Sequence, residues 1–265
     1  MFVSFGLQFI SRTVFIFCLG EEYLGINGLF SNVLGVLSFA ELGIGTAINF
    51  CLYKPVAENN IEKIKSYMWY YKWAYRTIAV IITIIGLALI PFLNVLVKDP
   101  GNVGNIVIYY LIYLFNTVTT YFVSYKYSLV NAEQKNYIYT NVNLIISTST
   151  IIIQVIALVI WKNFLIYLLV AAIFGVFQKI FICIYFNRLY PYLKEKNIEK
   201  LTKQEKSILI TKIKALVIHK IGDVSVHQTD NIIVSAFVST KMVGLLSYYN
   251  LFISTVSSCI NVLFN

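Results

Sequence analysis

The sequence predicts an all-α fold, a polytopic bundle of transmembrane helices, and three observations carry that prediction. Hydrophobic residues make up 58% of the 265-residue chain and charged residues 12%, with a mean hydropathy of +0.75, far from a soluble composition. Apolar runs of the length that crosses about 30 Å of hydrocarbon recur eight times, separated by polar connections. At that depth backbone polar groups are satisfied only inside helices or closed barrels, so such runs read as helices. The 21 Lys and Arg are also distributed unevenly among those connections.

The first span, about Phe2 to Leu19, is interrupted by Gln8, Ser11, Arg12 and Thr13. It follows Met1 without a basic leader or a small-residue cleavage site, so no signal peptide is expected. Arg12 is too deep for a casual surface residue: it either snorkels to an interface or faces an internal cavity. Gly20 to Asn27 reads as a short connection with Glu21 and Glu22, and the second span as Gly28 to Tyr53, holding Glu41 beside Gly43 and Gly45. These glycines let another backbone approach or the helix bend. Lys54-Pro55 closes it. Glu58 to Tyr75 mixes Lys63, Lys65 and Lys72 with Tyr and Trp, which suits a helix at headgroup level better than a nucleic-acid surface, and no nucleic-acid partner is expected.

Spans three to six follow at about Trp73–Val97, Ile106–Tyr125, Ile138–Trp161 and Asn163–Phe186, the last two joined by a connection that only a tight hairpin fits. Gln178 and Lys179 lie in the sixth, Lys179 close enough to its end to snorkel. The long polar connection after it contains Thr202-Lys-Gln-Glu205, the pattern of a capping box, followed by an apolar stripe of Ile208, Leu209, Ile213, Leu216 and Val217. It reads as an amphipathic helix on the membrane surface. A seventh span, about Ala215 to Val238, and an eighth from Val243 complete the chain. The division is therefore 1–187, six spans; 188–214, a basic linker with its amphipathic helix; and 215–265, the start of a second lobe.

Charge sets the expected orientation. Sixteen cations, Lys54 to Arg76, Lys126, Lys135 and Arg188 to Lys220, lie in the connections after even-numbered spans, against Lys98, Lys162 and Lys241 on the other side. The positive-inside rule then places the N-terminus and the even connections in the cytoplasm of a multi-pass protein. The four cysteines lie in apolar segments without metal-ligand or disulfide spacing, and no cofactor or metal is expected.

Within the seventh span, His219, Asp223, His227 and Asp230 fall on or near one helical stripe, with Lys220 just off it. Polar groups at membrane depth cost several kcal/mol unless they face a cavity, so this stripe is a candidate site, or else pairs its charges structurally with neighbours. A shift of 219 residues aligns Leu19–Gly25 with Val238–Gly244 and Leu29-Phe30 with Tyr248-Tyr249. That is the mark of a parallel internal repeat whose second copy is incomplete.

Glu22-Tyr-Leu-Gly-Ile-Asn-Gly-Leu-Phe-Ser-Asn32, Ala40-Glu-Leu-Gly-Ile-Gly45, Leu52-Tyr-Lys-Pro55, Leu189-Tyr-Pro-Tyr-Leu193, His219-Lys-Ile-Gly222 and Thr229-Asp-Asn231 resemble the Wzx-type flippases of bacterial surface polysaccharides, in the MATE-like exporter superfamily. The resemblance implies a MATE-like bundle of two six-helix lobes, of which this chain supplies one and about two helices of the second, as a truncated chain would. It further implies a lipid-linked oligosaccharide on undecaprenyl pyrophosphate, turned across the bacterial cytoplasmic membrane by alternating access for capsule, O-antigen or exopolysaccharide synthesis. Membrane lipid, a coupling H+ or Na+, and the polysaccharide polymerase with its assembly proteins are the partners implied.

Such work breaks no covalent bond, so the chain is not expected to be an enzyme. Its outward connections, about nine residues at most, also hold no donor-sugar domain. Arg12 and Lys220 are the candidates for the anionic head, because a guanidinium stays protonated and meets phosphate oxygens bidentately. Glu41, Asp223 and Asp230 would balance those cations or hold the coupling ion, and His219 or His227 would titrate near neutral pH, although a histidine at 227 departs from the family pattern. The alternatives are a MATE-type cation or drug antiporter, which asks for a net acidic cavity, and a non-functional truncated remnant.

Overall fold

A computed structural model describes residues 2–37, 44–97, 103–195, 198–227 and 230–264; side chains at 2–5, 218–232, 236, 240, 251–252, 255–256 and 258–264 lie outside that description. The described residues are helical, without a strand: α1 Phe2–Leu19, α2 Glu21–Leu37, α3 Ile44–Ala57, α4 Ile61–Ala88, α5 Leu93–Leu96, α6 Ile106–Ala132, α7 Asn136–Trp161, α8 Phe164–Leu189, α9 Lys203–His227, α10 Asp230–Phe237 and α11 Thr240–Phe264. Helices α4, α6, α7 and α8 are long and apolar enough to cross a membrane, so the chain is a helical membrane protein.

Turn chemistry accounts for the breaks. Gly20 adopts φ +91°, a left-handed conformation that favours glycine, and donates its N–H to Ile16 O at 2.8 Å, so α1 stops and α2 starts at once. The connection expected over Gly20 to Asn27 is thus one residue long. Asn60, Asn105 and Asn163 cap α4, α6 and α8, each side-chain oxygen accepting backbone N–H groups of the first turn. Lys162 takes the left-handed position at φ 46° and closes the expected α7–α8 hairpin. The headgroup-level helix and third span expected separately are one continuous helix, α4: Ile61–Ala88 holds no proline, and Ser66, Thr77 and Thr83 donate their hydroxyls to carbonyls four residues earlier instead of capping a break.

In the first half, α1 packs on α2 and α7, α7 on α8, α8 on α6, and α6 on α3 and α4, forming a ring of helices. Phe164, 2% exposed, sits where α1, α2, α6 and α8 converge, its ring centroid 5.8 Å from Phe15, 5.1 Å from Tyr23 and 4.8 Å from Tyr109. Such tilted and edge-on pairs add to the burial of each ring.

The second half packs back on the first. A Cβ added at Gly244 would lie 2.6 Å from Glu21 O and 3.0 Å from Gly25 N, and one at Gly28 would lie 2.5 Å from Ser247 Oγ. Helices α2 and α11 therefore touch backbone to backbone, which in a lipid environment is how small residues bring helices together. Both pairs, Gly25 with Gly244 and Gly28 with Ser247, are separated by the 219 residues of the repeat. Lys241 and Glu21 close one end of this seam at 3.2 Å, and Ser235 of α10 donates to Leu96 O of α5 at 2.6 Å.

The basic linker is a strap, not a free loop. Lys65 meets Glu195 at 2.8 Å and Glu62 at 2.5 Å, Ser66 Oγ donates to Glu199 O at 2.6 Å, and Leu201 is buried. The capping box is formed: Thr202 N and Oγ1 each donate to Glu205 Oε2 at 2.8 Å, and Glu205 N donates to Thr202 Oγ1 at 3.3 Å. Glu205 Oε1 also pairs with Lys63 at 2.8 Å. From there α9 runs uninterrupted through His227, across the boundary expected near residue 214. Its stripe is shared, since Leu209 is buried and Ile213 and Leu216 pack on the core while Ile208 stays exposed.

The hydrogen bond from the Lys63 ammonium, followed by those from Thr202, lowers the Glu205 pKa to about 2. A depressed carboxyl stabilises the fold fully above its unfolded pKa of about 4.3 and loses that contribution as pH falls toward 2. Protease protection of the strap is expected to fall across that window, and Glu205→Gln to remove both the pH dependence and about 1 kcal/mol of helix stability. Limited proteolysis by pepsin between pH 2 and 5 reads both effects.

Candidate functional site

Arg12 lies two-thirds of the way along α1, in a helix otherwise built to be buried or to face lipid. Its half-buried side chain lines a cavity of about 210 Å³ shared with Gln8, Ser11, Asn27, Gln154 and Tyr167. Residues 8 and 12 are one helical turn apart, so α1 presents an amide and a guanidinium to the same space. The aromatic group around Phe164 forms the apolar floor: Phe15 and Tyr167, with centroids 5.0 Å apart, belong to both floor and cavity.

Two of the polar side chains around this space already have partners. Gln154 donates to Tyr167 O at 3.1 Å, and the Tyr113 hydroxyl donates to Asn27 Oδ1 in a short hydrogen bond. The cation does not. Among the described residues no group accepts a hydrogen bond from Arg12, and its Nε is buried without a partner. Among the described residues, the ionisable side chains close enough to interact with its charge are phenols, Tyr113, Tyr167 and Tyr248, with no carboxylate among them. Tyr248 belongs to α11, so this cavity lies within reach of both halves of the chain.

No family model, curated protein or solved structure matches the chain. The reading of this site rests on its own geometry.

Of the seven candidates named from sequence, Arg12 alone has a described side chain. His219, Asp223 and His227 recur every fourth residue within α9, which places them on one helix face, and Lys220 adjoins it. Asp230 opens the separate helix α10. The side chains of these five lie outside the described residues, as does all of Glu41. Lys179 does not snorkel: its Nζ donates to Asn116 O at 2.9 Å and Thr119 Oγ1 at 2.7 Å of α6, two neutral acceptors.

Sequence reasoning passed over Asn27, Gln154 and Tyr167. The signal for Gln154 was present, since a lone amide in the apolar run Ile151–Trp161 needs a polar neighbour. Asn27, read as part of a connection, gave none.

Proposed function

We propose that the chain is a transporter of a phosphate-bearing, lipid-linked oligosaccharide, an undecaprenyl-pyrophosphate repeat unit turned across the bacterial cytoplasmic membrane by alternating access, with its N-terminus in the cytoplasm. The observation that supports this reading most is the Arg12 guanidinium. It is a permanent cation in an apolar helix, facing a polar cavity, with neither a carboxylate near it nor an acceptor for its hydrogen bonds among the described residues. A half-buried charge left unmatched among the described residues suits a ligand that brings the opposite charge. A diphosphate does so, and the fork of an Arg meets its oxygens bidentately. The amides of Gln8 and Gln154 and the phenol of Tyr167 offer the neutral donors and acceptors that sugars or ester oxygens use.

Lys220 keeps the role of a second cation in this scheme, Glu41, Asp223 and Asp230 that of balancing charge or holding the coupling ion, and His219 and His227 that of titrating groups. The α2–α11 seam, where Gly25 meets Gly244, is consistent with the paired lobes that alternating access requires.

The test uses the purified chain in nanodiscs. Undecaprenyl diphosphate is expected to raise its melting temperature in a concentration-dependent way, and undecaprenol, which lacks the diphosphate, is expected not to. Equal stabilisation by both would overturn the proposal, and so would tighter binding of an organic cation than of the diphosphate.

A further inference from the structure

A second cavity, of about 690 Å³, opens between α4, α6 and α8 at the end of the bundle that carries the basic connections, and the strap after α8 forms one wall. It is separate from the Arg12 cavity, shares no lining residue with it, and the inference below does not depend on the transport reading.

Its lining is strongly cationic. Lys65 is held by Glu62 and Glu195, which leaves Lys72, Arg76, Lys126 and Lys194 facing the same space. Among the described residues no carboxylate pairs with any of these four. Lys126 is 6% exposed, and among the described residues its ammonium is held only by neutral acceptors: Asn187 Oδ1 at 2.7 Å, Cys183 O at 3.3 Å and Cys183 Sγ at 3.1 Å. Arg76 lies over the Trp73 ring at 5.5 Å and Lys126 over Tyr125 at 5.9 Å, contacts that orient a cation without neutralising it. Four like charges gathered around one cavity repel each other unless an anion joins them.

The cavity's rim decides where the anion comes from. Trp69 and Phe122 line it and are 38% and 50% exposed, and Trp73 is exposed one turn along from Trp69. Exposed aromatic rings beside cations mark headgroup depth, with apolar helix surface continuing along α4 and α6. We propose that this cavity binds the phosphate of an anionic phospholipid, its acyl chains lying along the outer faces of α4 and α6.

Tryptophan fluorescence reports this directly, because Trp69 and Trp73 lie at the rim and the third tryptophan, Trp161, ends α7 beyond it. In a Trp161→Phe background of the full chain, phosphatidylglycerol brominated on its acyl chains is expected to quench at a lower mole fraction than brominated phosphatidylcholine. The pair Lys72→Gln and Arg76→Gln together is expected to weaken that preference by about tenfold or more, near what the loss of two headgroup cations implies. Lys194→Gln, an exposed change on the strap, is expected to weaken it several-fold. Lys54→Gln, an equal charge loss outside the cavity, is expected to leave it unchanged.

Equal quenching by both lipids overturns the proposal, as does a preference that survives the double substitution, or one lost equally with Lys54→Gln. Displacement of brominated phosphatidylglycerol by millimolar inorganic phosphate would overturn the lipid source and assign the cavity to a free anion. Should the double variant fail to fold, Lys194→Gln without effect overturns it in the same way.

Discussion

Arg12→Met is expected to abolish diphosphate binding and at the same time raise the stability of the empty protein. The guanidinium brings five donors into the α1 cavity, and none finds an acceptor among the described residues. A buried polar group left unmatched costs about 1–3 kcal/mol, more when charged, and methionine keeps the apolar stem while removing that cost. Unfolding free energy should therefore rise by about 1–3 kcal/mol. Two charge-assisted bonds to phosphate, at about 1.5–3 kcal/mol each, correspond to a loss of affinity of about a hundredfold or more. Arg12→Lys, which keeps the charge but not the fork, should fall between. Thermal melts with and without undecaprenyl diphosphate separate the two effects. A variant that loses stability while binding is unchanged would make Arg12 a structural strut and remove the main support for the transport reading.

Gly244→Ala is expected to open the α2–α11 seam, at a cost of about 1–3 kcal/mol, the range of an overpacked core. The added methyl would meet Glu21 O at 2.6 Å and Gly25 N at 3.0 Å, backbone atoms that cannot rotate away, so one helix must shift. Gly28→Ala presents the contrast, because its nearest neighbour, Ser247 Oγ at 2.5 Å, is a hydroxyl on a rotatable side chain. That change is expected to cost less than half as much, and Ser247→Ala combined with it to recover most of the loss, the nearest remaining atoms being at ordinary contact distance, 3.5 Å. Unfolding in mixed micelles measures all three. Equal destabilisation by both glycine variants would mean that the backbone contact at Gly244 is no harder to relieve than the hydroxyl contact at Gly28.

What the sequence made legible follows from which forces are local. Hydrophobic runs bound by Asn or Gly specify helices and hairpins without reference to the rest of the chain, and α6, α7 and α8 appear close to where the runs place them. The capping box at Thr202 and Glu205 is four residues long and equally legible. Polar interruptions were less so. The sequence marks Arg12 as anomalous, but that Gln154 of α7 and Asn27 of α2 stand around it depends on the ring order of the helices, which no local pattern encodes. The anchoring of the strap was not legible for a related reason. Its cations mark it as a basic linker, but that Lys65, buried on α4, anchors Glu195 across 130 residues of chain is not a local signal. Even the small-residue pairs at Gly25 and Gly28 carried only a hint, through the repeat, that their partners are Gly244 and Ser247.

The length of chain between those partners sets an order of assembly. Helix α2 is made early in synthesis, while the residues that cover its glycine face are 219 positions further on. At roughly 5–20 residues per second, that face waits about 10–40 s for α11, with lipid or another protein against it in the meantime. A contact so distant in sequence contributes nothing to starting the fold and can only complete it. The seam is therefore a late joint on the ribosome's timetable, and until it forms α2 presents the bare surface on which another helix can lodge.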